Sequence, residues 1–235
     1  MPWSRVVAGR CVARGLAVVA VVVAAASPLW PQIPSVPPAR FVVVLDAAHG
    51  GDDSGGRLAS GQMEKAVTLS LSVRLRSLLG ARGITVVTTR EADLTVDANR
   101  RAEIANHAKA DACLSLHATE SGAGVHLFTS SLLPAQPTRF AAWKTAQAGS
   151  VNRSLALAGA LNSALLHASF NVTISRTALV AIDSMTCPAL AVEVAPVRGP
   201  DGTVTAEPDD PNYEASVANA LATALLEWRM EAHQP

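Results

Sequence analysis

Four residues in this chain carry side chains suited to hydrolytic chemistry: His49, Glu64, His117 and Glu193. Three of them sit at the ends of apolar runs. FVVVLDAA, residues 41–48, leads into His49 and the glycine-rich stretch HGGDDSGG, residues 49–56. ACLSLH, residues 112–117, closes on His117, and ALAVEV, residues 189–194, carries Glu193 near its end. Two imidazoles and a carboxylate form a catalytic zinc set that leaves a fourth coordination position open for water. Zinc lowers the pKa of that water to about 7, so hydroxide is available at neutral pH. A second carboxylate takes the proton and passes it to a leaving amine. His49, Glu64 and His117 are therefore the expected Zn2+ ligands, and Glu193 the expected catalytic acid and base. A lone carboxylate inside an apolar run is costly to bury unless it has such a task.

Elements of two kinds must position these groups. FVVVLD, residues 41–46, is continuous and valine-rich, as a strand buried on both faces is. Val67, Leu71, Leu75 and Leu78 follow helical spacing, and Gly83 closes that segment. ITVVTT, residues 84–89, reads as a strand, residues 96–108 as a helix, and 112–117 and 124–130 as strands. Residues 131–150 read as a loop, and 154–168 as a helix. TALVAI, residues 177–182, and ALAVEV, residues 189–194, read as strands. A turn-rich loop over 196–212 precedes an amphipathic helix marked by Val217, Leu221, Leu225 and Trp228. Alternating strands and helices predict a single α/β domain built on a mostly parallel sheet. In such sheets sites form beyond the carboxyl ends of the strands. His49, His117 and Glu193 fall there. Glu64 opens the helix that returns to the same edge.

The blocks LDAAHGGDDSGG, MEKAVTLSLSVRL, GITVVTTREAD, NRRAEIAN, ADACLSLHA and CPALAVEVA occur in this order along the chain. In that order, with both histidines and both glutamates in place, the chain resembles the zinc-dependent N-acetylmuramoyl-L-alanine amidases (the amidase-3, or AmiC-like, family). The resemblance implies a mixed sheet flanked by helices and one Zn2+ held by His49, Glu64 and His117. It implies catalysis by Glu193 at the amide between N-acetylmuramic acid and L-alanine, with peptidoglycan as partner in wall remodelling or daughter-cell separation. Some motifs depart from the family pattern. Ala47-Ala48 stands where Pro-Gly is usual, Ala118-Thr119 where Ala-Asn is usual, and Ala195-Pro196 where Gly-Phe is usual. Loss of that glycine changes the backbone allowed before His49. Some relatives carry an inserted helix that blocks the zinc until an activator moves it. Residues 131–150 are too few for that device, and the sequence names no activator. The alternatives are a zinc peptidase acting on stem peptides and a catalytically silent wall-binding module.

The remaining candidates have blander readings. His126 reads as a strand-surface histidine, with a place near the site as the alternative, and His107, His167 and His233 as helix-surface residues. Arg90 and Asp93 are expected to fix the loop after the second strand, and Arg100 to make a structural ion pair. Arg176 is a weak candidate for the cleft. Cys113 and Cys187 read first as two buried small apolar residues, with a disulfide as the alternative.

Bulk composition narrows the partners. The formal net charge is zero and only 16% of the residues are charged, which excludes nucleic acid as the main partner. Aromatic residues make up 4%, too few for a base-stacking platform. Arg5, Arg10 and Arg14 precede the apolar run GLAVVAVVVAAAS, residues 15–27. This pattern predicts a signal peptide over 1–26, or an uncleaved N-terminal anchor that would be the only membrane contact. SPLWPQIPSVPPAR, residues 27–40, holds five prolines and reads as an extended linker. The catalytic domain is expected over 41–235, exported to the periplasm or cell envelope and monomeric at this size.

Overall fold

In the chain's second half of the sheet, strand order rather than strand number decides what meets what. The computed structural model describes residues 40–136 and 142–232. The expected signal segment, the linker apart from Arg40, and His233 lie outside the described residues. The strands are β1 (Val42–Ala47), β2 (Thr85–Thr88), β3 (Ala112–Ala118), β4 (Val125–Ser130), β5 (Val172–Thr177) and β6 (Ala189–Val194). They form one sheet in the order β2-β1-β3-β6-β4-β5. The first four in that order run parallel to one another. β4 runs antiparallel to β6, and β5 is parallel to β4. The mostly parallel, mixed sheet expected from the sequence is therefore the one observed.

Helices α1 (Glu64–Gly80), α3 (Val151–His167) and α4 (Pro211–Ala232) cover one face of the sheet. Leu45, Leu114, Leu116, Leu127, Leu190 and Val192 point into that layer and are fully buried. Helix α2 (Ala98–Ala108) covers the other face, where Ala102 and Ala105 pack on Val44, Cys113, Ala189 and Ala191. Period-two alternation then sends Asp46, Ser115, His117 and Glu193 to the α2 face. A two-stranded hairpin, β7 (Val197–Arg198) and β8 (Val204–Ala206), lies within the expected loop over 196–212.

Two expectations are corrected. TALVAI was expected to be a strand over 177–182, but the strand ends at Thr177 and Ile182–Ser184 is a 3-10 turn. β5 is instead the polar VTISRT at the sheet edge, and most of its residues are exposed. An edge strand buries little, so it lacks the apolar run that marks a central one. Cys113 and Cys187 are not two separate buried residues: they form a disulfide with Cα atoms 6.2 Å apart. Pairing of β3 with β6 places Cys113 opposite Ala189, two residues from Cys187. Among the described residues no helix is long and apolar enough to cross a membrane.

Candidate metal centre and active site

The carboxyl end of β1 turns sharply. His49 takes a left-handed φ of 59°, and Gly50 and Gly51 follow with positive φ. Ala48 carries no such strain, so the usual glycine before the histidine is not needed here. Two arginines hold the turn. Arg90 donates to the carbonyls of Ala47, Ala48 and Lys65, and Arg101 to those of Ala47 and His49. Arg90 and Asp93, expected to fix the loop after the second strand, tie that loop to the turn after β1: Arg90 also donates to the Ala92 carbonyl, and Asp93 accepts from Lys65 Nζ and from the Gly51 N–H.

Glu64 opens α1 and folds back over the loop. Its Oε2 lies 3.1 Å from His49 Nε2, and its Oε1 lies 2.9 Å from His117 Nδ1. The two imidazole rings meet edge-on at a centroid distance of 5.5 Å. One donor atom from each of the three residues lies within 4.8 Å of the others. Tetrahedral zinc with bonds near 2.0–2.1 Å separates its donors by roughly 3.3 Å. The donor types and spacing therefore fit a small divalent cation. Gly55 makes the approach possible: a Cβ there would lie 2.6 Å from His49 Cδ2 and 2.7 Å from Glu64 Oε2.

Each histidine is oriented through its other nitrogen. Asp53 Oδ2 lies 2.8 Å from His49 Nδ1, which leaves Nε2 for the cluster. His117 Nε2 lies 3.4 Å from Ser115 Oγ, which itself donates to Asp46 Oδ2 at 2.7 Å. With its proton committed to Asp46, the Ser115 oxygen accepts from the imidazole, and His117 Nδ1 stays free to bind. Asp46 is buried with Arg101, and Thr89 donates to its second oxygen. Carboxylate partners of this kind set the tautomer of ligating histidines. Burial opposes charge on Glu64, but its contacts with the His117 and His49 rings and the hydrogen bond from the Gly56 N–H outweigh it. Its carboxyl is held far below the usual carboxylate range. The Glu64 contact, reinforced by Asp53 and opposed by burial, raises the His49 pKa above its ordinary value.

Glu193 is the neighbour of His117 across the β3–β6 ladder. A cleft of about 620 Å³ opens beside His49 and His117 and runs over the α2 face. Thr95–Ala98 form one wall, and residues 178–182 the other. Val180, in the segment expected to be a strand, is 79% exposed there.

The structure thus brings His49, Glu64 and His117 together, with Glu193 beside them. Arg176 is not in the cleft: it donates to the carbonyls of Ser130 and Leu132 at the far end of β4. Arg100 pairs with Glu103 on the exposed face of α2. His107 and His167 cap exposed carbonyls one turn back in their helices. Asp46, Asp53, Ser115 and Arg101 were missed as site residues. For Asp46 the signal was present, since a carboxylate in a buried apolar strand demands partners just as Glu193 does. His126 is not a plain surface histidine; its Nδ1 lies 3.2 Å from Glu193 Oε1.

Comparison with known proteins agrees with this layout. The family model for N-acetylmuramoyl-L-alanine amidase (Amidase_3) matches residues 43–227. N-acetylmuramoyl-L-alanine amidase AmiA of Escherichia coli is 40% identical over 79 residues, covering 34% of this chain and 27% of that protein. The germination-specific amidase of Bacillus subtilis is 32% identical over 97 residues, covering 35% of this chain and 40% of that protein. The match thus spans well under half the length of either relative. Among solved structures, the catalytic domain of CwlV from Bacillus (Paenibacillus) polymyxa has a TM-score of 0.63 at 24% identity. It is covered to 98%, and this chain to 81%. Ami1 of Mycobacterium smegmatis has a TM-score of 0.65 at 20% identity, with 97% of it and 81% of this chain covered. At these identities the structures speak for the fold alone. The family model, which takes in β1, both turns of the metal cluster and most of α4, decides the matter: this chain belongs to the N-acetylmuramoyl-L-alanine amidase (Amidase_3) family.

Proposed function

We propose that the chain is an exported, zinc-dependent amidase that hydrolyses the bond between N-acetylmuramic acid and L-alanine in peptidoglycan. The observation that carries this reading is the juxtaposition of one catalytic carboxylate, Glu193, with a pre-oriented His49–Glu64–His117 donor set. Family membership supports the substrate, and the basic and apolar N-terminal segment supports export. Zinc, when bound by those three residues, polarises an amide carbonyl and acidifies water. Glu193 accepts the proton of the attacking water. It then returns a proton to the departing alanine nitrogen, so one carboxyl group serves both halves of the reaction. Asp53, Ser115 and Asp46 keep the imidazoles in their working tautomers throughout. The walls at 95–98 and 178–182 flank the space where glycan and stem peptide meet.

Purified protein is expected to release dye from labelled sacculi with zinc and not after chelation. The products should be peptide-free glycan and intact stem peptides. Glu193→Ala should retain zinc and lose hydrolysis. Cleaved peptide bonds would point to a peptidase, and zinc-loaded protein that binds sacculi without release would point to a wall-binding module.

A further inference from the structure

His126 has no part in the chemistry above, yet three features fix it against the one group that moves protons. The first is register. β6 pairs His117 with Glu193 on one side and His126 with Glu193 on the other. The three side chains therefore stand in a row on one face of the sheet. The second is contact: His126 Nδ1 lies 3.2 Å from Glu193 Oε1, with side chains 16% and 26% exposed. The third is confinement of the ring. Phe128, on the same face of β4, meets it edge-on at a centroid distance of 6.3 Å. On another side is Gly122, whose φ is +78°, and a Cβ there would come within 2.6 Å of His126 Cε1. The turn reserves the space that the ring fills.

A glutamate that exchanges protons with water and then with an amine must present the same oxygen twice. Its last torsion is broad and weakly defined. A donor on one oxygen removes that freedom. Resting on the amidase reading, we infer that His126 is a positioning residue for Glu193: its Nδ1–H holds Oε1 and leaves Oε2 to exchange the proton. The neutral ring that does this carries its proton on Nδ1. His126 gives no proton to substrate and touches no metal donor in this role, so its loss should be felt in turnover rather than in binding.

Three measurements on the full zinc-loaded chain test this. With a soluble N-acetylmuramoyl peptide, His126→Ala should lower kcat about tenfold or more, a fraction of what general acid–base catalysis contributes. KM, zinc content and thermal midpoint should stay near wild type. His126→Asn places an amide N–H the same number of bonds from Cβ as Nδ1 and should restore much of kcat. Long-range 1H–15N spectra of the wild type should show the neutral His126 ring protonated at Nδ1. Unchanged kcat in His126→Ala, equal losses in the Ala and Asn variants, a KM effect alone, or a wild-type ring protonated only at Nε2 would each overturn the assignment. If the alanine variant fails to fold, the wild-type tautomer still decides. An inactive wild type would defeat the amidase reading, whereas the spectrum would still report on the His126–Glu193 bond.

Discussion

Removing the disulfide is the sharpest test of how the strands that carry the site are held. Cys113 begins the climb of β3 towards His117, and Cys187 lies two residues before β6, which climbs to Glu193. Both cysteines are at most 4% exposed, so Cys113→Ala with Cys187→Ala leaves no buried polar atom. The two positions are 74 residues apart in sequence, and closing a loop of that length is worth about 4 kcal/mol in the chain-entropy treatment. For a domain of this size each kcal/mol shifts Tm by roughly 2–4 °C, so the double variant should melt about 8–16 °C lower. Differential scanning calorimetry measures this, with the wild type under reducing conditions as a second arm. Activity well below the melting transition should persist, because the β3–β6 ladder itself sets the spacing of His117 and Glu193. A double variant that melts with the wild type would refute the reasoning. So would peptide mapping of unreduced protein that finds both thiols open to alkylation.

Other outcomes follow from the surroundings of the cluster. Ser115→Ala cuts the link from His117 Nε2 to Asp46 and should weaken zinc binding about 10–100-fold, read by competition with a chromogenic chelator; unchanged affinity would remove Ser115 from that role. Gly55→Ala forces a Cβ against His49 and Glu64 at a positive φ of 65°, and should abolish zinc retention while the far-ultraviolet circular dichroism persists. Arg101→Met leaves the buried Asp46 without its cation and should cost about 3–5 kcal/mol in urea unfolding, with wild-type stability refuting the pairing. The chain has one tyrosine, and burial pushes the Tyr213 phenol up to about 12. A group with a raised folded-state pKa stabilises below its unfolded value, so this contribution is whole below pH 10 and is lost as pH rises towards about 12. Absorbance near the phenolate band follows it, and a midpoint at the ordinary value would show the ring to be exposed.

Much of this was legible in the chain because burial writes itself into composition. β1, β3 and β6 are central strands with helices on both faces, so their apolar runs mark them, and their ends mark the site. Glu64 was legible because a strand–loop–helix unit returns to its own edge. What failed to show depends on who sits next to whom. TALVAI looks like a strand because its apolar residues cluster, but they line the cleft rather than a sheet. VTISRT is a strand whose exposure hides it. The disulfide needs the β3–β6 register, and no spacing along the chain reports that. His126 sits on an alternating strand whose own pattern gives its face. Its tie to Glu193 depends on β4 inserting next to β6 and running the other way.

The reversal of β4 also divides the molecule into two rims with different tolerances for change. The connection over 119–124 joins the end of β3 to the start of β4 on the catalytic rim, so any lengthening there would be felt at once by His117, Glu193 and His126. The chain leaving Ser130 emerges on the opposite rim, beside the end of β5. A segment grafted there would start against Thr177, whose carbonyl accepts from the Ser131 N–H, next to the 178–182 wall of the cleft and a six-residue strand, about 20 Å, from the catalytic rim. Growth of this domain by insertion would therefore disturb the catalytic groups directly on one rim and extend the wall of the cleft on the other.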